Sequence, residues 1–94
     1  MPKIFLPTPL RPFAEGAASV EASGSTVSEA LEALVSRYAG LRAHLFDGSG
    51  KLRAFVNVYK NDEDIRFLSN LETPLKDGDE ISIVPAIAGG SAIN

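Results

Sequence analysis

Leu75-Lys-Asp-Gly-Asp-Glu-Ile-Ser-Ile-Val-Pro-Ala-Ile-Ala-Gly-Gly90 is the stretch whose reading decides the fold. Asp77-Gly78-Asp79 is a turn, with its glycine placed for a positive φ. Glu80 to Val84 then alternates, Ile81 and Ile83 on one face and Ser82 on the other, the period of a half-buried strand. Pro85 ends it. Residues 86–94 show no turn or helix pattern and read as a mobile tail. A strand with one apolar face must be covered, and the rest of the chain has to supply the cover.

Upstream, Thr26 and Glu29 have the spacing of a capping box. Leu31, Leu34, Val35 and Tyr38 follow at i, i+3, i+4 and i+7, one apolar stripe on a helix. Gly40 stands where a left-handed residue would close that helix. Leu41 to Phe46 adds a short turn, and Asp47-Gly-Ser-Gly50 reads as a flexible loop. Lys3 to Leu6 is a short strand stopped by Pro7-Thr-Pro-Leu-Arg-Pro12, and Ala18 to Ala22 is its hairpin partner across Glu15-Gly16-Ala17. Leu52 to Lys60 is β-rich, Asn61 to Asp64 a polar turn, and Ile65-Arg-Phe67 a brief strand. Leu71 and Leu75 plug the core from an irregular connection.

This order, two strands, a helix, a strand, an irregular crossing and a final strand, predicts an α+β fold. One main helix packs on one face of a mixed sheet of four to five strands, the β-grasp (ubiquitin-like) arrangement. Ile4, Leu6, Val20, Leu31, Leu34, Val35, Val56, Val58, Ile81 and Ile83 point inward. Residues 1–85 form the domain and 86–94 the tail.

Ninety-four residues make one domain, and 45% apolar with 22% charged residues is a globular balance. Nine basic against twelve acidic side chains, net −3, argue against a nucleic-acid or anionic-membrane binder, which needs a concentrated basic face. No cysteine means no disulfide scaffold, thiolate metal site or thiol nucleophile. One histidine, His44, excludes two-histidine metal motifs and argues against a self-contained hydrolase. With neither a signal-peptide core nor a spanning apolar run, a cytoplasmic protein is expected.

Asn61-Asp-Glu-Asp64 lacks the spacing of a calcium loop and reads as a solvated turn, so no metal site is expected. Gly48 and Gly50 precede no Gly-Lys-Ser/Thr and make no phosphate loop. Gly89-Gly90 differs. A glycine pair after a terminal strand lets backbone thread a cleft that any side chain would block.

The chain resembles the ubiquitin-like sulfur carriers of the MoaD/ThiS family, in the branch that serves cysteine biosynthesis in mycobacteria and other actinobacteria. The resemblance runs from Ile4 to Gly90. It is densest in Phe55-Val-Asn-Val-Tyr-Lys-Asn-Asp-Glu-Asp-Ile-Arg-Phe67 and in Leu75 to Gly90, with Pro7 to Pro12 in agreement. It implies a carrier, not an enzyme, with no cofactor of its own. An E1-like adenylyltransferase/sulfurtransferase would use ATP to adenylate the Gly90 carboxylate, and a sulfur donor would displace AMP to leave a thiocarboxylate. The sulfur would pass to an acceptor such as a PLP-dependent cysteine synthase, and a JAMM-type metalloprotease would release the product. One departure stands out: Ser91-Ala-Ile-Asn94 follows Gly90, so the Gly90-Ser91 bond must be cut before Gly90 can be activated.

Strand alternation sends Phe5, Phe55, Tyr59 and Val84 to the face opposite the helix, beside the tail root at Pro85, as a candidate patch for docking partner enzymes. The alternative is that a loop such as Pro7 to Pro12 covers them. Two other functions stay open: a ubiquitin-like modifier conjugated through Gly90, and a plain interaction module.

Overall fold

Helix α1 (Val27–Arg37) starts where the Thr26 hydroxyl accepts a hydrogen bond from the Glu29 N–H at 3.2 Å. The return half of the box lands one residue earlier than its usual form, because Glu29 Oε1 accepts from the Ser25 N–H (2.9 Å) and hydroxyl (3.0 Å). These bonds hold the Glu29 carboxyl below its ordinary range. Val27, Ala30, Leu31, Leu34 and Val35 are buried along one stripe, as the 3.6-residue period requires.

That stripe lies on a sheet built from β1 (Lys3–Phe5), β2 (Ser19–Glu21), β3 (Val56–Lys60), β4 (Glu63–Asp64) and β5 (Glu80–Pro85). The computed structural model describes residues 1–54 and 56–85. Strand order is β2-β1-β5-β3-β4, with β1 and β5 parallel and every other neighbour antiparallel. The mixed five-stranded β-grasp sheet expected from the sequence is therefore present. Its inner row runs Val20–Ile4–Ile81 across three strands, and Ile83 faces Val58 one row on. All five side chains are buried, and Val56 packs against the same cluster half-buried.

Three local expectations are corrected, and the proline-rich segment proves to have structure of its own. Gly40 does not close α1 in a left-handed conformation. The helix ends at Tyr38 with φ −125°, and Ala39–Leu41 forms a 3-10 turn leading into a short helix α2 (Arg42–Leu45). The reason is burial: continuing the chain this way places Leu41 and Leu45 fully inside the core. Ile65–Phe67 is a 3-10 turn, not a strand, because the Asp64 carboxylate accepts the Arg66 N–H at 2.9 Å and bends the backbone. Asp47–Gly50 is a closed turn. The Asp47 carboxylate accepts from the Ser49 N–H and hydroxyl and from the Lys51 N–H, and the Asp47 N–H donates to the Lys51 carbonyl at 2.8 Å. The proline-rich segment forms a 3-10 helix over Thr8–Ala14 that buries Leu10 and Ala14 in the same core as α1.

The Asp77-Gly78-Asp79 turn behaves as read, with Gly78 at φ +88°. Asp79 also ties this turn to the β3–β4 hairpin. Its carboxylate accepts from the Asn61 amide at 3.0 Å and from the Lys76 N–H at 2.8 Å, and Lys60 Nζ lies 3.7 Å away. Among the described residues no helix is long and apolar enough to cross a membrane.

Gly24 offers a sharp test of the packing at the start of α1. A Cβ on Gly24 would stand 2.6 Å from the Ala30 nitrogen, whereas one on Gly48 would meet nothing within 4 Å. Gly24→Ala is expected to cost about 1–3 kcal/mol, the usual penalty of overpacking against backbone. Gly48→Ala is expected to stay within about 0.5 kcal/mol. Urea denaturation of both variants measures the difference, and equal midpoints would show that the chain before α1 yields freely.

Candidate functional site

One continuous row crosses all five strands on the face away from α1: Ser19, Phe5, Ser82, Tyr59 and Asp64. Period-2 alternation from the buried Ile4, Ile81 and Val58 puts them there. Phe5 and Tyr59 flank Ser82, two strand spacings apart, about 10 Å. Val84 lies one row further along β5, opposite Asn57. Phe5 is 37% and Val84 42% exposed, and Tyr59 is half-buried. The Thr8–Ala14 segment does not cover them, because Leu10 and Ala14 belong to the core on the helix side.

Two cations border this apolar row. Lys3 Nζ stands 6.0 Å from the Phe5 ring centroid. At the opposite margin Arg66 grips Asp64, with Nη2 to Oδ2 at 2.7 Å and Nε to both carboxylate oxygens at 3.2 Å. The Arg66 guanidinium and then its N–H hold the Asp64 carboxyl below the usual aspartate range, and the pair raises Arg66 in turn. Asp64 is buried under the exposed guanidinium, so the row ends in a neutral ion pair whose outer group is Arg66.

Of the residues expected to form a docking patch, the structure brings Phe5, Tyr59 and Val84 onto one face. Pro85 is exposed but pairs with Val56 in register, which gives it the parity of Ile81 and Ile83, so it belongs to the helix side. Phe55, Gly89, Gly90 and Ser91 lie outside the described residues. The sequence reading missed Arg66 as part of this site. Its signal was the Asp64/Arg66 spacing of two, which as a strand would have put both on one side, and as an Asp-led turn closes them into a ring. His44 is exposed, its ring centroid lies 4.3 Å from that of Phe13, and it makes none of the ion pairs found among the described residues. Among the described residues no group of three or more acidic or histidine side chains is arranged to hold a metal ion.

The arrangement is a modest apolar surface with Lys3 at one margin and the Asp64–Arg66 ion pair at the other, on a sheet from which the chain continues toward Gly89-Gly90. Comparison with known proteins bears on what it binds. The ThiS family model matches residues 4–90. A sulfur carrier protein, CysO, of Mycobacterium tuberculosis is 47% identical over 89 residues, spanning 93% of this chain and 96% of that protein. The CysO structure solved in complex with BexX from Amycolatopsis orientalis superposes with a TM-score of 0.86 at 48% identity, over 96% of this chain and 100% of that one. The small archaeal modifier protein 1 of Methanosarcina acetivorans superposes at 0.83 with 36% identity, over 95% of each chain.

The Asp64–Arg66 pair makes a pH prediction. An aspartate depressed below its unfolded value of 3.8 adds stability that is present above that pH and is lost as pH falls through the lower folded value. Carbon-detected NMR should therefore show the Asp64 carboxyl titrating below 3.8, and Arg66→Ala should move it up toward that value. An unchanged titration in Arg66→Ala would mean that the pair does not form in solution.

Proposed function

We propose, from the fact that this chain belongs to the ThiS family, that it is a sulfur carrier activated at Gly90 after removal of residues 91–94. The observation that carries this reading is the extent of the family match, which begins at Ile4 in β1 and stops at Gly90. The body and the glycine pair fit the family, and Ser91-Ala-Ile-Asn94 lies beyond it. The 47% identity to a sulfur carrier across nearly the full length of both chains supports the same conclusion.

On this reading the chain is carried between enzymes and catalyses nothing itself. A separate hydrolase cuts the Gly90-Ser91 bond and frees the Gly90 carboxylate. An E1-like adenylyltransferase/sulfurtransferase then joins that carboxylate to the α-phosphorus of ATP, and pyrophosphate leaves. The acyl-adenylate is an electrophile, so a sulfur donor attacks its carbonyl carbon, AMP departs, and Gly90 ends as a thiocarboxylate. The sulfur then goes to an acceptor, for which a PLP-dependent cysteine synthase is the branch's expectation. ATP belongs to the activating enzyme. Phe5, Tyr59 and Val84 dock the activating enzyme while Gly89 and Gly90 thread its cleft, where a Cβ would clash. The Amycolatopsis relative, solved with BexX, is a precedent for a carrier of this shape seated on a partner.

A second reading, a protein modifier that forms isopeptide bonds through Gly90, draws on the likeness to the archaeal modifier protein. Intact-mass analysis of cell extract separates the two, since a carrier gives free thiocarboxylate and a modifier gives a ladder of conjugates.

Two outcomes test the leading reading. Protein ending at Gly90, incubated with its activating enzyme, ATP and a sulfur donor, should gain the thiocarboxylate mass, while the chain of residues 1–94 should not. A terminus displaced by four residues, roughly 13 Å, cannot be presented to a cleft shaped for two glycines. Equal yields would remove the need for processing. Separately, Tyr59→Ser should raise the KM for activation several-fold with the melting temperature nearly kept, whereas Gly89→Val should suppress turnover with no loss of stability. Unchanged kinetics in Tyr59→Ser would take the docking face off the map.

A further inference from the structure

Asp-Gly occurs twice in this chain, at Asp47-Gly48 and at Asp77-Gly78, and the fold holds the two pairs differently. In such a pair the glycine nitrogen can attack the aspartate Cγ, since no side chain on the glycine stands in the way. The attack needs a free carboxyl group and a peptide plane that can rotate toward it. At Asp47 neither is free. Its Oδ1 accepts from the Ser49 N–H at 2.9 Å, the Ser49 hydroxyl at 2.7 Å and the Lys51 N–H at 3.1 Å. The Asp47 carbonyl accepts from the Gly50 N–H at 3.0 Å and the Asp47 N–H donates to the Lys51 carbonyl at 2.8 Å, which fixes the backbone as well. The Ser49 hydroxyl, then the Lys51 and Ser49 N–H groups, hold this carboxyl below its ordinary range and oppose the protonation that lets an oxygen leave.

At Asp77 both requirements are met. Its side chain is 95% exposed, and its ion pair with the Met1 amino group at 3.3 Å is of the exposed kind that is worth little in water. Two bonds close this turn: the Asp79 N–H donates to the Lys76 carbonyl at 3.1 Å, and the Lys76 N–H to the Asp79 carboxylate at 2.8 Å. Both join the residues on either side, and among the described residues no hydrogen bond holds the Asp77-Gly78 peptide between them. We propose that Asp77-Gly78 is a modification site where the chain converts to isoaspartate, and that the conversion loosens the junction of β1 with β5. The Gly78 nitrogen bonds to Asp77 Cγ, its proton and the carboxyl hydroxyl leave as water, and a succinimide ring forms. Water then adds at one of the two ring carbonyls. Addition at Cγ restores aspartate, whereas addition at the backbone carbonyl leaves the chain running through the side chain, one carbon longer. The longer turn displaces Asp79, whose carboxylate accepts from Lys76 and Asn61 and whose carbonyl accepts the Lys3 N–H at 3.0 Å. That last bond stands at the start of the parallel pair, beside Lys3 and Glu80. The product also carries a free α-carboxylate, the group that an S-adenosylmethionine-dependent carboxyl methyltransferase would take.

This inference stands apart from the sulfur-carrier reading, because it concerns the chain alone. Prolonged warming of residues 1–94 at neutral pH, followed by peptide mapping and methyl labelling with an isoaspartyl methyltransferase, tests it. Conversion at residue 77 should exceed that at residue 47 by at least about tenfold, the factor that one hydrogen bond to a charged group is worth. In the guanidinium-unfolded chain the two sites should convert at similar rates. Asp77→Glu, whose longer side chain closes the ring far less readily, should remove most of the label. The converted fraction, isolated by chromatography, should melt about 4–8 °C lower, the shift that loss of one hydrogen bond gives in a domain of this size. Equal conversion at the two sites of the folded chain overturns the assignment, as does a preference for residue 77 that persists on unfolding or a label that persists in Asp77→Glu. A converted fraction that melts with the parent protein overturns the effect on β1 and β5.

Discussion

Strands β1 and β5 come from the two ends of the described chain and lie side by side in parallel at the centre of the sheet, Ile4 against Ile81, both without solvent exposure. Parallel neighbours cannot be joined by a hairpin, so the chain between them must cross over the sheet, adding β2 on one flank before the crossing and β3 and β4 on the other after it. Helix α1 carries the chain across from the β2 flank to the β3 flank, and among the described residues it is the only element long enough to roof the central pair. Its buried stripe of Leu31, Leu34 and Val35 is therefore a consequence of where the two terminal strands meet. The same pairing directs the end of β5 away from the amino terminus of the chain, so whatever follows Pro85 emerges from the middle of the sheet and not from an edge.

Cover on one side leaves the other side exposed, and this protein distributes its loops accordingly. The Thr8–Ala14 segment, α2 and the Asn70–Glu72 turn all gather on the helix side, where Leu10, Ala14, Leu41 and Leu45 enlarge the core. A chain of this length buries barely enough apolar surface to fold, and every connection that can contribute a side chain to one core is drawn to it. The outer face is left with strand residues alone, which keeps Phe5, Tyr59 and Val84 accessible beside the point where the chain departs.

Most of this was legible in the sequence where a period or a cap carried it. Thr26 with Glu29, the stripe after it, the Ile81/Ile83 alternation and the Asp-Gly-Asp turn each encode local geometry, and each is present, the Glu29 carboxylate reaching Ser25 in place of the Thr26 N–H. The errors fall where a tertiary demand outweighs a local habit. Gly40 had the position of a helix cap, but the chain needed Leu41 and Leu45 inside and continued as a turn. Ile65-Arg-Phe67 had strand residues, but the Asp64 carboxylate took the Arg66 N–H and curled them, leaving Phe67 82% exposed. The proline-rich segment showed where β1 had to stop and nothing of the Leu10 anchor, because no periodicity survives in the six residues and three prolines of Pro7 to Pro12. Of the site, Phe5, Tyr59 and Val84 could be read from alternation. Pro85 could not be placed without knowing that Val56 is its partner, and Arg66 could not be placed without the turn.

The size of the outer patch limits how a partner can use it. An aromatic side chain offers roughly 150–250 Å² in all, so Phe5, Tyr59 and Val84, each partly covered, present on the order of 200 Å² together. At about 25 cal/mol per Å² that is roughly 5 kcal/mol of gross attraction, no more than the lower estimates of what two proteins lose in freedom when they associate. Standard stable interfaces engage about 800 Å² on each partner. The face alone is thus too small to retain an enzyme. On the proposed reading the balance comes from the tail lodged in the enzyme's cleft, so affinity and chemistry depend on the same few residues around Gly90. A carrier built this way binds when its terminus is correct and leaves once that terminus has been changed, which is what repeated transfer between different enzymes demands. A larger and stickier face would strengthen the first encounter and slow every later one.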